Sequence, residues 1–148
     1  NPTLALVRDL FIFACFTALS FVDMKELTTD EIVEVNGEKW ILSKRHKTNV
    51  PFQVKLLDIP LQIIERYKAF QENNLVFPNL NYWSICKRMG KMIKECGITK
   101  KISFHCSRHG FATLALSKGM PIESVSRILG HTNIETTQIY ASAPRMVA

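Results

Sequence analysis

The sequence lacks the cysteine spacings that usually build metal sites. The cysteines form no Cys-x-x-Cys pair and show no spacing typical of a zinc site. They are Cys15, Cys86, Cys96 and Cys106. Because disulfides form mainly in oxidising compartments, we predict that all of them are buried, reduced thiols of a cytoplasmic protein.

Long apolar runs, internal repeats and low-complexity tracts are also absent from the sequence. The most apolar stretch, Leu10 to Val22, holds 13 residues, which is short of the roughly 20 residues that a membrane-spanning helix needs. No signal-peptide pattern precedes it. We therefore predict that this stretch is a buried helix, that the protein has no membrane partner, and that residues 1–148 form a single domain.

Acidic residues are outnumbered by basic ones. The chain has 13 Asp and Glu against 19 Lys and Arg, which gives a net charge of +6 and a pI of about 9.3. A basic protein suits a polyanionic partner, because neutralised phosphates release their condensed counterions. Since many basic proteins bind no nucleic acid, the charge alone does not decide the partner.

The periodicity of apolar residues predicts a mainly helical fold with a small antiparallel three-stranded sheet, an α+β class. Residues 3–21 are apolar nearly all round, which predicts a helix in the centre of the core. Alternating apolar residues on either side of Asn36-Gly37 predict a hairpin, because this dipeptide favours a two-residue turn. Residues 52–57 predict a third strand, and the basic loop 44–48 connects it to the second.

Helical spacing returns after the sheet. It predicts helices over 60–70 and 81–96, from about His105 to Gly119, from Pro121 to Gly130, and from Thr132 onward, where Thr132 and Glu135 form a capping box. One face of the 81–96 helix is basic and carries Lys87, Arg88, Lys91 and Lys94. Such a face is either solvated or in contact with a phosphate backbone, and the sequence leaves both interpretations open.

Residues 105–109 combine two histidines with an arginine. On a helix, His105 and Arg108 share a face at i, i+3. An arginine that clamps two oxygens, next to an imidazole that moves a proton, suits a phosphate group. His105 and His109 also have the i, i+4 spacing of zinc-binding helices, but the glutamate of that motif is missing. Arg108 would moreover place a cation against the metal, so we favour the phosphate site.

A lone tyrosine, Tyr140, follows His131 near the end of the chain. Either residue alone would more often be a packing or helix-end residue. The combined pattern is more specific: the residues are His105-x-x-Arg108-His109, Leu129-Gly130-His131 and Thr136-Thr137-x-x-Tyr140. With these spacings the chain resembles the catalytic domain of the tyrosine recombinases, the phage integrase family.

The resemblance covers nearly the whole chain and implies both an activity and roles for individual residues. It implies that DNA is cut and rejoined through a covalent 3′-phosphotyrosine at Tyr140. Arg108 and His131 would bind the phosphate, and His105 would move the tyrosine proton. Lys47, in the loop after a strand, matches the family's hairpin lysine and would protonate the departing 5′-hydroxyl. Lys44 is its rival.

One position departs from the family pattern. The family's first block reads Thr-Gly-Leu-Arg with an acid three residues later, whereas this chain has Ser20 in place of the arginine, followed by Asp23. Some integrases of mobile elements are similar in lacking this arginine. We expect Asp23 to hold neighbouring basic side chains in place. We also hypothesise that Arg8, the only arginine before position 45, reaches the phosphate instead.

The resemblance also implies partners and cofactors. It implies double-stranded DNA as the substrate, no metal and no ATP, a homotetramer on DNA, and in some cases accessory DNA-bending proteins. The family's N-terminal core-binding domain is not part of these 148 residues. The chain starts at Asn1, so we expect it to be an excised catalytic domain that binds DNA weakly by itself.

Three alternatives stay open on sequence grounds. A type IB topoisomerase shares the chemistry but relaxes supercoils as a monomer. A helix-turn-helix module within residues 111–141 would bind DNA without cutting it. A thiol enzyme built on Cys106 and His105 is the weakest of the three, because adjacent residues on a helix point apart.

Overall fold

The computed structural model describes residues 4–78, 80–129 and 134–141, with the backbone only at 140 and 141. The helices in these residues are α1 (Leu4–Thr17), α2 (Phe21–Glu26), α3 (Asp58–Arg66), α4 (Tyr82–Glu95), α5 (Phe104–Ser117), α6 (Ile122–Leu129) and α7 (Glu135–Ala141). The strands are β1 (Ile32–Val35), β2 (Glu38–Lys44) and β3 (Pro51–Lys55). The predicted fold class, mainly helical with one small antiparallel sheet, is confirmed.

The first predicted helix is divided in two, which corrects the expectation of one helix over 3–21. Helix α1 ends at Thr17, and Ala18 takes a left-handed conformation with φ 63°. Ser20 then caps α2: its hydroxyl accepts a hydrogen bond from Asp23 N–H at 3.2 Å, while the Asp23 carboxylate accepts from Ser20 N–H at 3.4 Å. This capping box favours a new helix start over continuation of α1.

The sheet forms around the predicted turn. Asn36 and Gly37 have φ values of 53° and 78°, the left-handed pair that a type I′ turn requires. The strands lie in the order β1-β2-β3, all antiparallel, and Ile41 pairs with Ile32 on one side and with Val54 on the other. Strand β3 covers 51–55 rather than the predicted 52–57.

The core is built around α1, as the sequence predicted. Val7, Leu10, Phe13 and Ala14 are fully buried, and α1 packs against α3, α4 and α5. A second apolar cluster, formed by Ala18, Ala112, Val125 and Leu129, joins the end of α1 to α5 and α6. The chain segment from 18 to 23 therefore lies where the two clusters meet.

The remaining helices match the predictions with shifted ends. Helix α3 covers 58–66 and is followed by a short 3-10 helix at 68–70, instead of one helix over 60–70. Helices α4, α5 and α6 agree within two residues, and Asn81 caps α4 by accepting from Ser84 N–H at 3.0 Å. Helix α7 begins at Glu135; the predicted capping residue Thr132 lies outside the described residues.

The cysteines differ from the prediction. All are free thiols, but none is fully buried, and Cys96 at the end of α4 is exposed. Burial raises the pKa of Cys15 to about 11, so this thiol is protonated at neutral pH. No helix in the described part of the chain is long and apolar enough to cross a membrane.

One buried carboxylate ties α1 to α3. Asp9 is 2% exposed and accepts hydrogen bonds from Arg66 Nη1 and Tyr67 Oη, both at 2.6 Å, and from Arg8 Nε at 3.1 Å. Burial by itself would raise the pKa of Asp9, but the hydrogen bonds from Tyr67, Arg66 and Arg8 outweigh it and hold the pKa below its ordinary value of 3.8.

Asp9→Asn should therefore destabilise the protein in a pH-dependent way. At pH 7 we expect the free energy of unfolding to fall by about 1–3 kcal/mol, because charge-assisted hydrogen bonds to a buried acceptor are lost. The folded pKa is depressed, so this stabilisation is complete above the unfolded pKa and is lost as the pH falls through the folded pKa. Urea unfolding should show that the difference in free energy of unfolding between wild type and variant becomes smaller below about pH 4. Asp30→Asn, at an exposed position, is the control; an equal loss there would contradict the assignment.

Candidate active site

A single cavity gathers several of the predicted residues. It has a volume of about 220 Å³ and lies between α2, the loop after β2, α5 and the end of α6. Its described lining residues are Ser20, Asp23, Arg45, Lys47, Thr48, Arg108 and Leu129. Three cations and one carboxylate thus face a small space, which gives it an excess of positive charge suited to an anion.

Arg108 lies in the second turn of α5 and is half-buried. Its Nη2 donates a hydrogen bond to the carbonyl oxygen of Leu129, the last residue of α6. The final carbonyls of a helix have no partner within the helix and carry a partial negative charge. The C-terminus of α6 therefore orients this guanidinium toward the cavity.

Asp23 holds the basic loop in place, which is the geometry expected of it. Its Oδ2 accepts from Arg45 Nη1 at 3.0 Å, and its Oδ1 accepts from His46 N–H at 3.0 Å. Both partners of the ion pair are buried, with side-chain exposures of 3% for Arg45 and 6% for Asp23. Burial alone would raise the pKa of Asp23, but the His46 hydrogen bond and the charge of Arg45 outweigh it, and the pKa is lowered.

Arg45 has no predicted role, yet it is the most buried cation of the cavity. Besides Asp23, it donates from Nη1 to Ala18 O at 2.9 Å and from Nη2 to Ile128 O. Its guanidinium carbon lies 4.0 Å from the centre of the Phe52 ring. Burial and the neighbouring positive charge of Arg108 lower its pKa to about 10, so it remains charged at neutral pH.

Lys47 is exposed in the loop between β2 and β3 and lines the cavity. Its rival Lys44, also exposed, lines a different cavity together with Glu26 and Glu31. The geometry therefore favours Lys47 as the lysine of the site.

His105 lies one turn before Arg108 on the same helix, but it faces a neighbouring cavity. Ser20 lines both cavities, so the two spaces share a wall. The rings of His105 and His109 are 4.5 Å apart in an edge-to-face arrangement. Burial and the charges of His105 and Arg108 lower the pKa of His109. Within the described residues, no group of three or more His, Cys, Asp or Glu is placed to hold a metal ion.

The other two predicted residues are located only in part. His131 lies outside the described residues, and only the backbone of Tyr140 is described, within α7. Helix α7 packs against α5 and α6, and its Thr137 is fully buried. The helix that carries Tyr140 is therefore in contact with the two helices that hold Arg108.

Arg8 is placed elsewhere, so the structure does not support its predicted substitute role. Its Nε contacts Asp9 at 3.1 Å, in the cluster that includes Arg66 and Tyr67. It is not among the described residues of the cavity. Arg8 thus contacts the carboxylate that binds Arg66 and Tyr67 at the end of α3, whereas the cavity lies at the break at 18–20.

A signal for Arg45 was present in the sequence. The side chains of β2 alternate, and Ile41, Ser43 and Arg45 share the inward face. If the alternation of inward and outward side chains along β2 is extended by two residues beyond Ser43, Arg45 is predicted to point into the protein. The prediction of a basic loop over 44–48 does not single out this arginine.

The basic face predicted on the 81–96 segment is present on α4. Lys87, Lys91 and Lys94 are exposed, while Ile85 and Met89 on the opposite side are buried. The face is accessible to a large polyanion, and the geometry is consistent with either of its two interpretations.

Comparison with known proteins identifies a family. The model of the phage integrase family matches residues 4–145. The tyrosine recombinase XerC of Shewanella oneidensis is 37% identical over 145 residues, covering 92% of this chain and 47% of that protein. XerD of Listeria monocytogenes is 43% identical over 65 residues, covering 44% of this chain and 21% of that protein. The chain thus spans less than half the length of these relatives.

Solved structures share the fold. The XerH site-specific recombinase bound to its difH substrate in a pre-cleavage complex superposes with a TM-score of 0.77 at 24% identity, covering 94% of this chain and 43% of that one. The Tn1549 transposon integrase in complex with a circular intermediate DNA gives 0.75 at 18% identity, covering 89% and 52%. At these identities the likeness establishes the fold.

Asp23→Asn should destabilise the protein far more than a comparable change in the exposed ion pair beside it. We expect about 3–5 kcal/mol of destabilisation, because a buried arginine loses its counter-charge. Glu26→Gln is the matched control: Glu26 contacts His46 at 2.8 Å, but both side chains are 56% exposed. That variant should lose less than about 1 kcal/mol. Urea unfolding at pH 7 measures both, and equal losses would contradict a structural role for the Asp23–Arg45 pair.

Proposed function

The chain belongs to the phage integrase family, and on this basis we propose that it is the catalytic domain of a site-specific DNA recombinase. It would cut and rejoin double-stranded DNA through a covalent bond between Tyr140 and a 3′-phosphate. The observation that carries the proposal is the cavity in which Arg108, Lys47 and Asp23 meet. It is lined in part by α5 and α6, the helices against which α7 with its tyrosine packs. Relatives that act on DNA, including XerH bound to difH, support the same substrate class.

A phosphodiester resists attack because its negative charge lies on the oxygens that the nucleophile approaches. In the proposed reaction Arg108 binds the non-bridging oxygens, and His131 adds a hydrogen bond. Donors that are already oriented are worth a few kcal/mol each to the transition state. The α6 carbonyl that orients Arg108 supports this role, since it fixes the guanidinium before DNA arrives.

The displacement also needs two proton transfers. The phenol of Tyr140 has an ordinary pKa near 10 and is mostly protonated at neutral pH. We propose that His105 accepts this proton as the Tyr140 oxygen bonds to phosphorus and the bond from phosphorus to the 5′-oxygen breaks. Lys47 then protonates the departing oxygen. A 5′-hydroxyl of another strand reverses these steps, so resealing needs no ATP.

Assembly and location belong to the proposal as well. Recombination would require a homotetramer on two duplexes, with accessory DNA-bending proteins in some reactions, in a cytoplasmic, DNA-associated setting. Residues 1–148 would act as one catalytic domain within that assembly. The exposed basic face of α4 offers a surface for the DNA backbone.

Tyr140→Phe provides the direct test. A nicked duplex that loses its 5′-hydroxyl fragment after cleavage should trap a covalent adduct with the wild-type chain, visible by denaturing electrophoresis and mapped to Tyr140. High protein concentration and low salt offset weak affinity. The Phe variant should bind the same duplex and form no adduct. An adduct with the variant would overturn the assignment, and unaltered binding without any wild-type adduct would favour the helix-turn-helix alternative.

Cleavage should persist in EDTA. In the proposed mechanism cationic side chains neutralise the phosphate, so chelation of divalent ions should leave the yield of adduct unchanged at constant ionic strength. Comparing reactions with EDTA and with added Mg²⁺ checks this. A strict requirement for a divalent ion would count against the mechanism.

A further inference from the structure

The cavity contains a second guanidinium, which comes from a different element than the family pattern leads one to expect. Arg45 follows β2, whereas the family's first arginine would stand at position 20, ahead of α2. Both Ser20 and Arg45 line the cavity. The Arg45 guanidinium is bonded to Ala18 O and to Asp23, on either side of Ser20 in the chain. It therefore occupies the turn that lacks the arginine.

The hydrogen bonds of Arg45 leave part of its fork without a hydrogen-bond partner among the described residues. A guanidinium has five N–H donors. Two on Nη1 are used by Ala18 and Asp23, and Nη2 gives one to Ile128 O. Nε is buried and has no hydrogen-bond partner among the described residues. The Nε and Nη2 donors form one edge of the fork, the geometry that binds two oxygens of a phosphate.

The electrostatics also point to a bound anion. Arg45 and Arg108 donate to the successive carbonyls of Ile128 and Leu129 at the end of α6, which holds two like charges close together. Asp23 forms the ion pair with Arg45. Two cations held side by side are costly unless an anion lies between them, and a DNA phosphate would supply that charge.

We propose that Arg45 is a catalytic residue that binds the scissile phosphate together with Arg108, supplying the guanidinium that Ser20 cannot. This inference rests on the proposed function. It makes the loop after β2 responsible for two tasks, since Arg45 would neutralise the phosphate while Lys47 protonates the leaving oxygen. Asp23 is then a positioning residue that fixes Arg45.

The test uses variants that keep the position polar. Arg45→Gln removes the charge but retains an amide that can donate to the carbonyls of Ala18 and Ile128, and Arg45→Lys keeps the charge without the planar fork. Arg8→Gln is the matched control, because Arg8 is an arginine outside the cavity. Each is assayed on the nicked duplex with a natural scissile phosphate, and on one with a neutral methylphosphonate there. Thermal unfolding of every variant is recorded in parallel.

We expect Arg45→Gln to slow cleavage of the natural phosphate by about 100- to 1,000-fold, the usual loss of one transition-state donor. Arg45→Lys should lose less, and Arg8→Gln should cleave like wild type. On the methylphosphonate the charge to be neutralised is absent, so the ratio between wild type and Arg45→Gln should approach one. Equal losses on both substrates would mean that Arg45 only holds the structure together, and would overturn the proposal. So would undiminished cleavage of the natural phosphate.

The result with the wild-type chain distinguishes a failure of the recombinase assignment from a failure of the proposed role of Arg45. If wild type forms the Tyr140 adduct and Arg45→Gln does so equally well, the recombinase assignment stands and the role of Arg45 is refuted. If wild type forms no adduct while it binds the duplex, the proposed function fails, and the role of Arg45 fails with it.

Discussion

The buried ion pair between Asp23 and Arg45 is the interaction on which the geometry of the cavity depends. It joins α2 to the loop after β2, and through Ile128 it joins both to the end of α6. An ion pair removed from water gains little net stability unless its remaining donors and acceptors are also satisfied. Here the His46 amide and two backbone carbonyls satisfy most of them. The pair therefore fixes the relative positions of three chain segments more than it adds to stability.

This constraint explains why the break after α1 matters. Had α1 continued through residue 23, Ser20 and Asp23 would lie along one helix with the apolar residues of the core. The left-handed Ala18 and the capping box of Ser20 instead start a new helix, α2, whose Asp23 contacts the loop after β2. The same break exposes the Ala18 carbonyl to Arg45. The break after α1 thus positions both the Asp23 carboxylate and the Ala18 carbonyl, which together hold Arg45 in the loop after β2.

Helix α6 contributes through its end rather than through its side chains. Its two final carbonyls accept from Arg45 and Arg108, and its buried residues Val125 and Leu129 anchor it in the second apolar cluster. Packing places the helix, and the negative end of its dipole orients the cations. With α7 against the same helices, the catalytic chemistry of a tyrosine recombinase would be assembled by an apolar cluster built from residues that are distant in the sequence.

The sequence by itself determined the fold class, the turn at Asn36-Gly37 and the family, because these follow from local periodicity, backbone preference and the spacing of polar residues. It also indicated Arg108, His105 and Lys47 as site residues. It could not decide which cation stands beside Ser20. Arg8 is nearer in the chain, yet it contacts Asp9 on another face of α1, while Arg45 reaches the cavity from β2. Only tertiary packing decides such a question, since the position of a charge in space depends on which elements bury their apolar faces together.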